Sequence, residues 1–185
     1  MKEKIIKEIS KNWIKKHFDE DQRDFFIELL IKLKPKYCLE TGFETGTSSV
    51  TVCSAAKPEK IICIGMGNNN ATIAGNLSNQ YNFQLIVGNS VSVLTEVFFK
   101  NNFPYGVDFF HVDGGHTYEV ATSDLEKTFP FMNNNSIIIV DDYHSIICNI
   151  NEVNKAVDDF CKNHNLDMKS INTKSGKGMA IIKIK

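Results

Sequence analysis

The sequence predicts an α/β protein in which a doubly wound, mostly parallel sheet of seven strands lies between two layers of helices. Short apolar runs alternate regularly with helical segments, which is typical of right-handed βαβ units. The last two predicted strands are joined by a polar turn at 174–177, which indicates an antiparallel hairpin. The length of 185 residues, 42% of them hydrophobic, suits a single domain over 1–185, with N-terminal helices in 1–34 and a sheet core in 35–185.

The predicted elements follow one another without a linker or an internal repeat. Amphipathic helices are expected at 3–17 and 21–33, and Pro35 ends the second one. The predicted strands are 37–39, 60–64, 83–87, 107–112, 136–140, 167–172 and 178–184. The predicted helices of the core are 47–56, 71–80, 91–101, 118–131 and 152–164. The asparagine runs at 68–70 and 133–135 are expected to be polar turns.

Composition excludes several classes of partner. The 21 Lys and Arg residues nearly balance the 22 Asp and Glu residues, so the net charge of -1 gives no general attraction to nucleic acid or to an anionic membrane. No apolar window is long enough to span a bilayer, and the N-terminal segment has no apolar stretch of a signal peptide. We therefore expect a protein with neither a nucleic-acid nor a membrane partner.

The cysteines indicate a reducing compartment. Their number is odd, they form no C-x-x-C pair, and they stand in apolar contexts at Cys38, Cys53, Cys63, Cys148 and Cys161. This pattern is typical of reduced core thiols in a cytoplasmic protein and argues against a zinc site.

The turn after the first predicted strand, "LETGFETGTSS", has the composition of a ligand-binding loop. Ligands of doubly wound sheets bind beyond the carboxyl ends of the strands. Gly42 would let the backbone approach a ligand, Gly46 would let the turn enter the helix, and the N–H groups at Thr47 and Ser48 could hold an anion. The alternative is a tight turn with an exposed Glu40 and a helix capped by Thr47 or Ser48.

A dinucleotide fingerprint is not present at this turn. The pattern G-x-G-x-x-G requires a glycine two residues after Gly42, where the sequence has Glu44. The later segment "GMGNNN" has only the first half of that pattern, and it follows the second strand.

Five segments resemble class I S-adenosylmethionine-dependent methyltransferases in order and spacing. They are "CLETGFETGTSS", "IVGNSVSVL", "DFFHVDGGHTYEVATSDLEKTFPFM", "SIIIVDDY" and "GKGMAIIKIK". The chain is most similar to the small-molecule O-methyltransferase group that includes macrolide-sugar enzymes, and more distantly to catechol-type enzymes. The resemblance runs from about Tyr37 to the end. It implies a Rossmann-like fold, S-adenosylmethionine as cofactor and a hydroxyl acceptor on a sugar or another small, natural-product-like molecule, and dimers are common among such enzymes.

The resemblance also assigns roles to individual residues. It implies that the first glycine turn holds the methionine part of the cofactor and that a second loop contacts the adenine. The matching positions are Glu40, Gly42, Gly46, Thr47 and Ser48 for the first, and Asn89 and Ser90 for the second. Asp113 is a further candidate, because it could bind the amino group of the cofactor.

The acids at the tips of the fourth and fifth strands predict a metal site. Asp113 ends one predicted strand, and Asp141 and Asp142 end the next, so a parallel sheet would bring them together. Their repulsion would be relieved by a hard divalent cation, for which we expect Mg²⁺. Such a cation lowers the pKa of an acceptor hydroxyl. His116 is then the expected base, because an unperturbed imidazole titrates near neutral pH.

Other readings of these residues stay open. Asp141 could cap the following turn, Asp142 could be merely solvated, and His116 could cap the helix that begins beside it. His144 is a reserve base. His111 lies within an apolar strand, where a satisfied core histidine is the usual explanation.

The sequence departs from the family at three positions of the cofactor site. Gly65 stands where an acid usually binds the ribose, Asn89 where aspartate is common, and Glu44 where many relatives have a glycine. A Gly65→Asp substitution is therefore expected to tighten cofactor binding. These changes keep a second hypothesis open, a degenerate domain that binds a metabolite or partner without catalysis. The enzyme is favoured, because a pure binding domain does not need Asp113, His116 and Asp142 together.

Overall fold

The computed structural model describes residues 1–10, 19–67, 69–145 and 151–185, and these contain a seven-stranded sheet with helices on both faces. The strands are β1 Tyr37–Thr41, β2 Lys60–Gly65, β3 Gln84–Val87, β4 Val107–Val112, β5 Met132–Asp141, β6 Asp167–Asn172 and β7 Gly178–Lys183. The helices are α1 Lys2–Ile9, α2 Glu20–Leu33, α3 Thr47–Ala56, α4 Asn70–Ser78, α5 Ser90–Val93, α6 Glu96–Asn102, α7 Tyr118–Thr128 and α8 Asn151–His164. The predicted fold class is confirmed.

The strand order β3-β2-β1-β4-β5-β7-β6 indicates where a ligand crevice lies in this sheet. The chain runs outward from β1 to β3 and then returns to add β4 on the other side of β1, so the order reverses between β1 and β4. In an open α/β sheet, ligands bind beyond the strand ends at such a switch point. β7 pairs antiparallel with both β5 and β6, which confirms the predicted C-terminal hairpin.

Two apolar layers hold the helices against the sheet. On one face, α1 to α4 bury residues such as Ile9, Phe26 and Leu30. On the other face, α5 to α8 bury residues such as Phe99 and Leu125. Burial of apolar surface on both faces explains why the central strands are nearly continuous hydrophobic runs.

Several predicted boundaries were wrong. The predicted helix 91–101 is two helices, because the Thr95 hydroxyl accepts a hydrogen bond from the Phe98 amide at 3.1 Å and begins α6. The predicted turn 133–135 is the start of β5, where Asn133 donates to Asp108 at 2.7 Å. The predicted helix 118–131 ends at Thr128 and continues as a 3-10 turn over Phe129–Phe131.

Part of the prediction lies outside the described residues. This holds for the predicted first helix beyond residue 10, for Asn68 and for Cys148. The other four cysteines are free thiols, as predicted. Among the described residues, no helix is both long enough and apolar enough to cross a membrane.

Candidate active site

A groove crosses the carboxyl ends of β1, β2 and β4. Two cavities, of about 310 and 220 Å³, form it and share the residues Gly42, Gly65, Met66 and Gly114. Asp113 and His116 line the first cavity, and Asn89 and Ser90 line the second. A larger cavity of about 820 Å³ lies between α2 and the β6–β7 hairpin, but no residue predicted for the site lines it. The groove is therefore the candidate site.

Gly42 is required by the neighbouring loop as well as by any ligand. It has φ of +100°, a conformation that L side chains rarely adopt. A Cβ atom at this position would overlap the carbonyl group of Asp113 and lie 2.9 Å from the Gly114 nitrogen. The Gly42 amide donates to the Ile64 carbonyl at 2.8 Å, and the Asp113 amide donates to the Thr41 carbonyl at 2.9 Å. Gly42 therefore joins the tips of β1, β2 and β4.

The N-terminus of α3 faces the same region without a side-chain cap. Gly46 occupies the N-cap position with φ of 73°, and no side chain accepts a hydrogen bond there. Thr47 and Ser48 follow inside the helix, so the alternative in which one of them is the cap is wrong. A recess of about 20 Å³ at this end is lined by Gly42, Gly46, Thr47, Ser48 and Asp113, among others. Because the first turn of a helix has free amide groups, it suits an anion.

Glu40 is buried, with only 1% of its surface exposed, so the alternative of an exposed Glu40 is also wrong. Its Oε1 accepts hydrogen bonds from the Ser48 hydroxyl and, at 3.1 Å, pairs with His111 Nδ1, while Oε2 accepts from Ser49. Burial alone would raise the pKa of Glu40, but His111 and the two serines outweigh it and lower the pKa. Glu40 is therefore an ionised group that already has protein partners.

The acids of β4 and β5 meet as the sequence predicted. β4 and β5 are parallel neighbours, and Val112 pairs with Val140, so Asp113 and Asp141 follow at adjacent strand ends. Burial, and then the charges of Asp141 and Asp142, raise the pKa of Asp113 well above its usual value. Burial also raises the pKa of Asp141 to about 6. The site therefore brings three carboxyl groups close together, and Lys177 offsets only part of the rise in the pKa values of Asp113 and Asp141.

The predicted set of Asp113, Asp141 and Asp142 does not form a single group of metal-ligand type in the described part of the chain, because Asp113 belongs to two separate groups. One group is Asp113, His116 and Asp142, and the other is His111, Asp113 and Asp141. Within each group, one ligand atom from each residue lies within 4.8 Å of the others. Carboxylate oxygens and imidazole nitrogens are donors for divalent cations, so both groups fit such an ion.

His116 is paired with Asp142 and open to the groove. Its Nε2 lies 3.2 Å from Asp142 Oδ2, and 49% of its side chain is exposed. Thr117 is the N-cap of α7 and accepts from the Val120 amide, so the alternative in which His116 caps this helix is wrong. Asp142 has φ of 60°, an uncommon conformation for aspartate that is frequent at functional sites.

His144 has a different environment. Its side chain is exposed, and its ring stacks on that of Tyr143 with centroids 4.3 Å apart. It belongs to neither group of metal-ligand type among the described residues.

Packing around position 65 leaves room only for a glycine. The Asn70 side chain fills the space beside Gly65 and donates to the Phe43 carbonyl. A Cβ atom at position 65 would lie 2.6 Å from that carbonyl oxygen. We therefore correct the expectation that Gly65→Asp would tighten cofactor binding. The aspartate side chain would collide with the backbone carbonyl of Phe43.

The two adenine candidates line the second cavity in different ways. Asn89 is exposed, and its Oδ1 caps α5 by accepting a hydrogen bond from the Val91 amide at 3.0 Å. Ser90 is buried at the first position of α5. Asn89 thus retains its two amide protons, and one oxygen lone pair, for a ligand.

Four residues of the site were missed or misread in the sequence. Gln22 donates to Asp141 Oδ1 at 2.7 Å, and Asn70 fills the place of the ribose acid. Asp124 is fully buried beside Gly114, and neither of its carboxylate oxygens has a hydrogen bond of good geometry within the described part of the chain. His111 is buried, but it is not a satisfied core histidine, because its Nε2 has no partner among the described residues. The spacing of Glu40, His111 and Asp113 becomes informative only once the strand register is known.

Comparisons with known proteins agree with this geometry. A family model described as "methyltransferase domain" matches residues 39–143, more than half of the chain. The O-methyltransferase from Bacillus cereus, solved in complex with S-adenosylhomocysteine, has a TM-score of 0.76 at 14% identity over 100% of this chain and 90% of that chain. No curated protein sequence matches the chain.

Two further solved structures have the same fold. The O-methyltransferase TomG from Streptomyces achromogenes, in complex with S-adenosylmethionine, has a TM-score of 0.74 at 13% identity over 100% of this chain and 87% of that chain. The methyltransferase PaMTH1 from Podospora anserina, bound to S-adenosylhomocysteine, has a TM-score of 0.71 at 14% identity over 100% of this chain and 87% of that chain. The chain belongs to the methyltransferase-domain family, and it has the fold of these S-adenosylmethionine- and S-adenosylhomocysteine-bound methyltransferases.

Proposed function

We propose that this protein transfers a methyl group to a hydroxyl of a small polyhydroxylated molecule, such as a sugar or a natural-product precursor. The observation that carries the proposal is the pair of His116 and Asp142, 3.2 Å apart, at the groove that Gly42 and Asp113 line. A base and a cluster of acids beside a cofactor groove suit removal of a hydroxyl proton. Structures of similar fold include an O-methyltransferase involved in tomaymycin synthesis, which supports a small-molecule acceptor.

Residues on both sides of Gly42 would hold the cofactor. S-Adenosylmethionine supplies an activated methyl group on a sulfonium sulfur when it is bound. The uncapped first turn of α3, at Thr47 and Ser48, suits the carboxylate of its methionine part. Asn89 and Ser90, which line the second cavity, suit the adenine. Glu40 would act indirectly, because it fixes Ser48 through a hydrogen bond.

His116 would take the proton of the acceptor. If Asp142 accepts a hydrogen bond from Nε2–H, the lone pair of Nδ1 is left to receive that proton. The acceptor oxygen would then be ready to take the activated methyl group that a bound cofactor supplies, and His116 would hold the proton that this oxygen has lost.

The acids would hold a divalent cation, for which oxygen ligands favour Mg²⁺. Asp113 would provide such oxygens together with Asp141 in one group or with Asp142 in the other. Burial raises the pKa values of Asp113 and Asp141, and a bound cation would stabilise their charged forms. A bound cation of this kind lowers the pKa of a hydroxyl that it contacts. The protein would contribute the position of the acids, and Asp142 would in addition orient His116.

A second function is supported by one observation. The acid that usually binds the ribose is absent, and Asn70 and Phe43 occupy its space. This arrangement would suit a degenerate domain that binds a metabolite or partner without methyl transfer. Binding of S-adenosylhomocysteine separates the two functions, because only the enzyme requires it.

The test combines calorimetry with S-adenosylhomocysteine and methyl transfer to a panel of sugars and other hydroxylated small molecules. The parent protein should bind the cofactor product and methylate at least one acceptor. His116→Ala should keep cofactor binding and lower turnover by about a hundredfold or more, the usual contribution of a general base. His144→Ala is the matched control and should keep the parental rate.

Four outcomes would contradict parts of the proposal. No binding of S-adenosylhomocysteine would leave only the degenerate domain. Full activity of His116→Ala would remove its role as base, and loss of activity in His144→Ala would transfer that role to His144. Activity that is insensitive to a chelator would show that methyl transfer does not require a cation.

We also propose that the protein works in the cytoplasm. Cys38 and Cys63 are buried free thiols, which suits a reducing compartment. Fractionation of cells that produce the protein would test this placement.

A further inference from the structure

His111 has one nitrogen bound and one nitrogen free, both inside the protein. The residue is 1% exposed, its ring lies edge-on to that of Phe26 with centroids 4.9 Å apart, and its Nδ1 pairs with Glu40. Its Nε2 is buried without a hydrogen-bond partner among the described residues. A buried polar atom without a partner costs about 1 to 3 kcal/mol, so it needs a physical explanation.

The register of the sheet directs this histidine toward the acids. His111 pairs with Glu40 on β1 and with Ile139 on β5. Asp113 and Asp141 follow two residues later on their own strands, so all these side chains belong to the same face. A ligand atom of His111 lies within 4.8 Å of ligand atoms of both Asp113 and Asp141.

Glu40 orients His111 as metal-binding histidines are oriented. A histidine that binds a metal with one nitrogen usually donates the other N–H to a carboxylate, which fixes the tautomer. Glu40 Oε1 lies 3.1 Å from His111 Nδ1, so in the neutral imidazole this carboxylate accepts a hydrogen bond from Nδ1–H. The free lone pair then lies on Nε2.

Asp141 is oriented in a similar way. Its Oδ1 accepts hydrogen bonds from Gln22 Nε2 at 2.7 Å and from the Asp142 amide at 3.0 Å. Neither of these two bonds engages the lone pairs of Oδ2. Asp113 is only partly buried, so it stands between this pocket and the groove and gives an ion a route of entry.

We propose that His111, Asp113 and Asp141 form a cation site with mixed nitrogen and oxygen ligands, and that it takes a first-row transition ion such as Mn²⁺ in preference to Mg²⁺. The proposal deepens the metal assistance of the proposed function and rests on it. Mg²⁺ favours oxygen ligands and retains its waters, whereas imidazole favours transition ions. The nitrogen of His111 therefore shifts the preference of the site from Mg²⁺ toward a transition ion such as Mn²⁺.

The first experiment measures the nitrogen directly. The full chain without cofactor is mixed with Mn²⁺, and electron spin echo envelope modulation records coupling to ¹⁴N of an imidazole. The parent protein should show this coupling, and His111→Asn should lose it. His116→Asn should keep the coupling, as should His164→Asn, the matched control in a distant histidine–carboxylate pair with Glu126.

The second experiment measures selectivity and orientation. Competition between Mn²⁺ and Mg²⁺ should favour Mn²⁺ in the parent, and His111→Asn, which replaces nitrogen by an amide oxygen, should reduce that preference. Glu40→Gln should weaken Mn²⁺ binding by about 10- to 100-fold, the usual effect of removing a carboxylate that orients a histidine ligand. Asp141→Asn keeps the acceptor for Gln22 and should also weaken Mn²⁺ binding, so it tests the site if His111→Asn does not fold.

The outcomes separate this site from the other group and from the proposed function. Loss of the ¹⁴N coupling in His116→Asn alone would place the ion with Asp142 and overturn the proposal. Absence of Mn²⁺ binding or of nitrogen coupling in the parent would also overturn it. Failure of S-adenosylhomocysteine binding, measured separately, would count against the proposed function and would leave the Mn²⁺ result readable.

Discussion

The two ends of the ligand groove are built in opposite ways. At the tips of β4 and β5, acids and histidines crowd together, and burial raises the pKa of Asp113 and Asp141. At the tips of β2 and β3, the groove is lined by Gly65, Gly67 and Gly88, and the described residues that these two tips contribute to it include no carboxylate. One end therefore depends on which side chains are present, and the other depends on which are absent.

This difference predicts two kinds of mutational effect. Changes at the acidic end should remove chemistry while the fold and the cofactor site remain. Changes at the glycine end should introduce collisions with main-chain atoms, and these alter stability and cofactor binding together. Four substitutions test this contrast, from the largest expected effect to the smallest.

Asp142→Ala should have the largest effect, and only on chemistry. It removes the carboxylate 3.2 Å from His116, so turnover should fall by about 10²- to 10⁴-fold, the range of general acid–base catalysis. The affinity for S-adenosylhomocysteine and the melting temperature should change little. Asp167→Ala, at an acid that is 86% exposed, is the control. Loss of cofactor binding in Asp142→Ala would break the contrast.

Gly42→Ala should affect both ends, because Gly42 packs against Asp113. The new methyl group would overlap the Asp113 carbonyl, and the alanine would have to adopt a positive φ. Together these effects should cost more than about 3 kcal/mol of stability. Gly75→Ala is the matched control, because a Cβ there has no neighbour within 4 Å. In the middle of α4, that change should stabilise by about 0.5 to 1 kcal/mol. Thermal unfolding measures both, and equal melting temperatures would contradict the prediction.

Asp124→Asn should stabilise the protein above pH 6. Burial raises the pKa of Asp124 from 3.8 to about 6, despite the opposing effect of the Ser90 and Thr41 hydroxyls. The folded protein therefore binds a proton that the unfolded chain releases, and stability falls as pH rises between about 4 and 6. The rise in the pKa of Asp124 corresponds to a loss of at most about 3 kcal/mol in the free energy of unfolding.

Urea unfolding at several pH values would test this prediction. The advantage of Asp124→Asn should be absent below about pH 4, grow up to about pH 6 and stay constant above it. An advantage that is equal at all pH values would show that the ionisation of Asp124 is not its cause.

Gly65→Asp should have the smallest effect, and a negative one. Its Cβ would lie 2.6 Å from the Phe43 carbonyl oxygen, so we expect destabilisation by about 1 to 3 kcal/mol and no tighter binding of S-adenosylhomocysteine. Removing the Asn70 side chain as well should not tighten binding, because the collision with the Phe43 carbonyl involves the backbone. Tighter binding in Gly65→Asp would show that the loop moves to make room.

The sequence predicted the topology because the period of the apolar residues is a local property. Five parallel strands and a closing hairpin could be read from runs such as 107–112, and the acids at their ends followed from adjacency in a parallel sheet. Thr95 shows the limit of this approach, since a single capping hydroxyl divided a segment with one helical pattern.

The rest depends on contacts between strands and layers. His111 looked like a core residue, because its neighbours along the chain are apolar. Its possible role as a metal ligand can be recognised only from the strand register, which places Glu40 beside it and Asp141 near it. The occupation of the space beside Gly65 by Asn70 likewise joins two loops and has no pattern in the sequence.

The position of β7 has a consequence for how this site comes into existence during folding. β7 lies between β5 and β6 although it follows both in the chain. Until it inserts, β5 is an unpaired edge, and Asp141 has no partner opposite it at Met179. Such non-local pairing forms slowly, so the acidic wall should be among the last parts of the sheet to become rigid. A chain that stalls before this step exposes the apolar edge 137–140 to other chains, which makes aggregation the main hazard of incomplete folding.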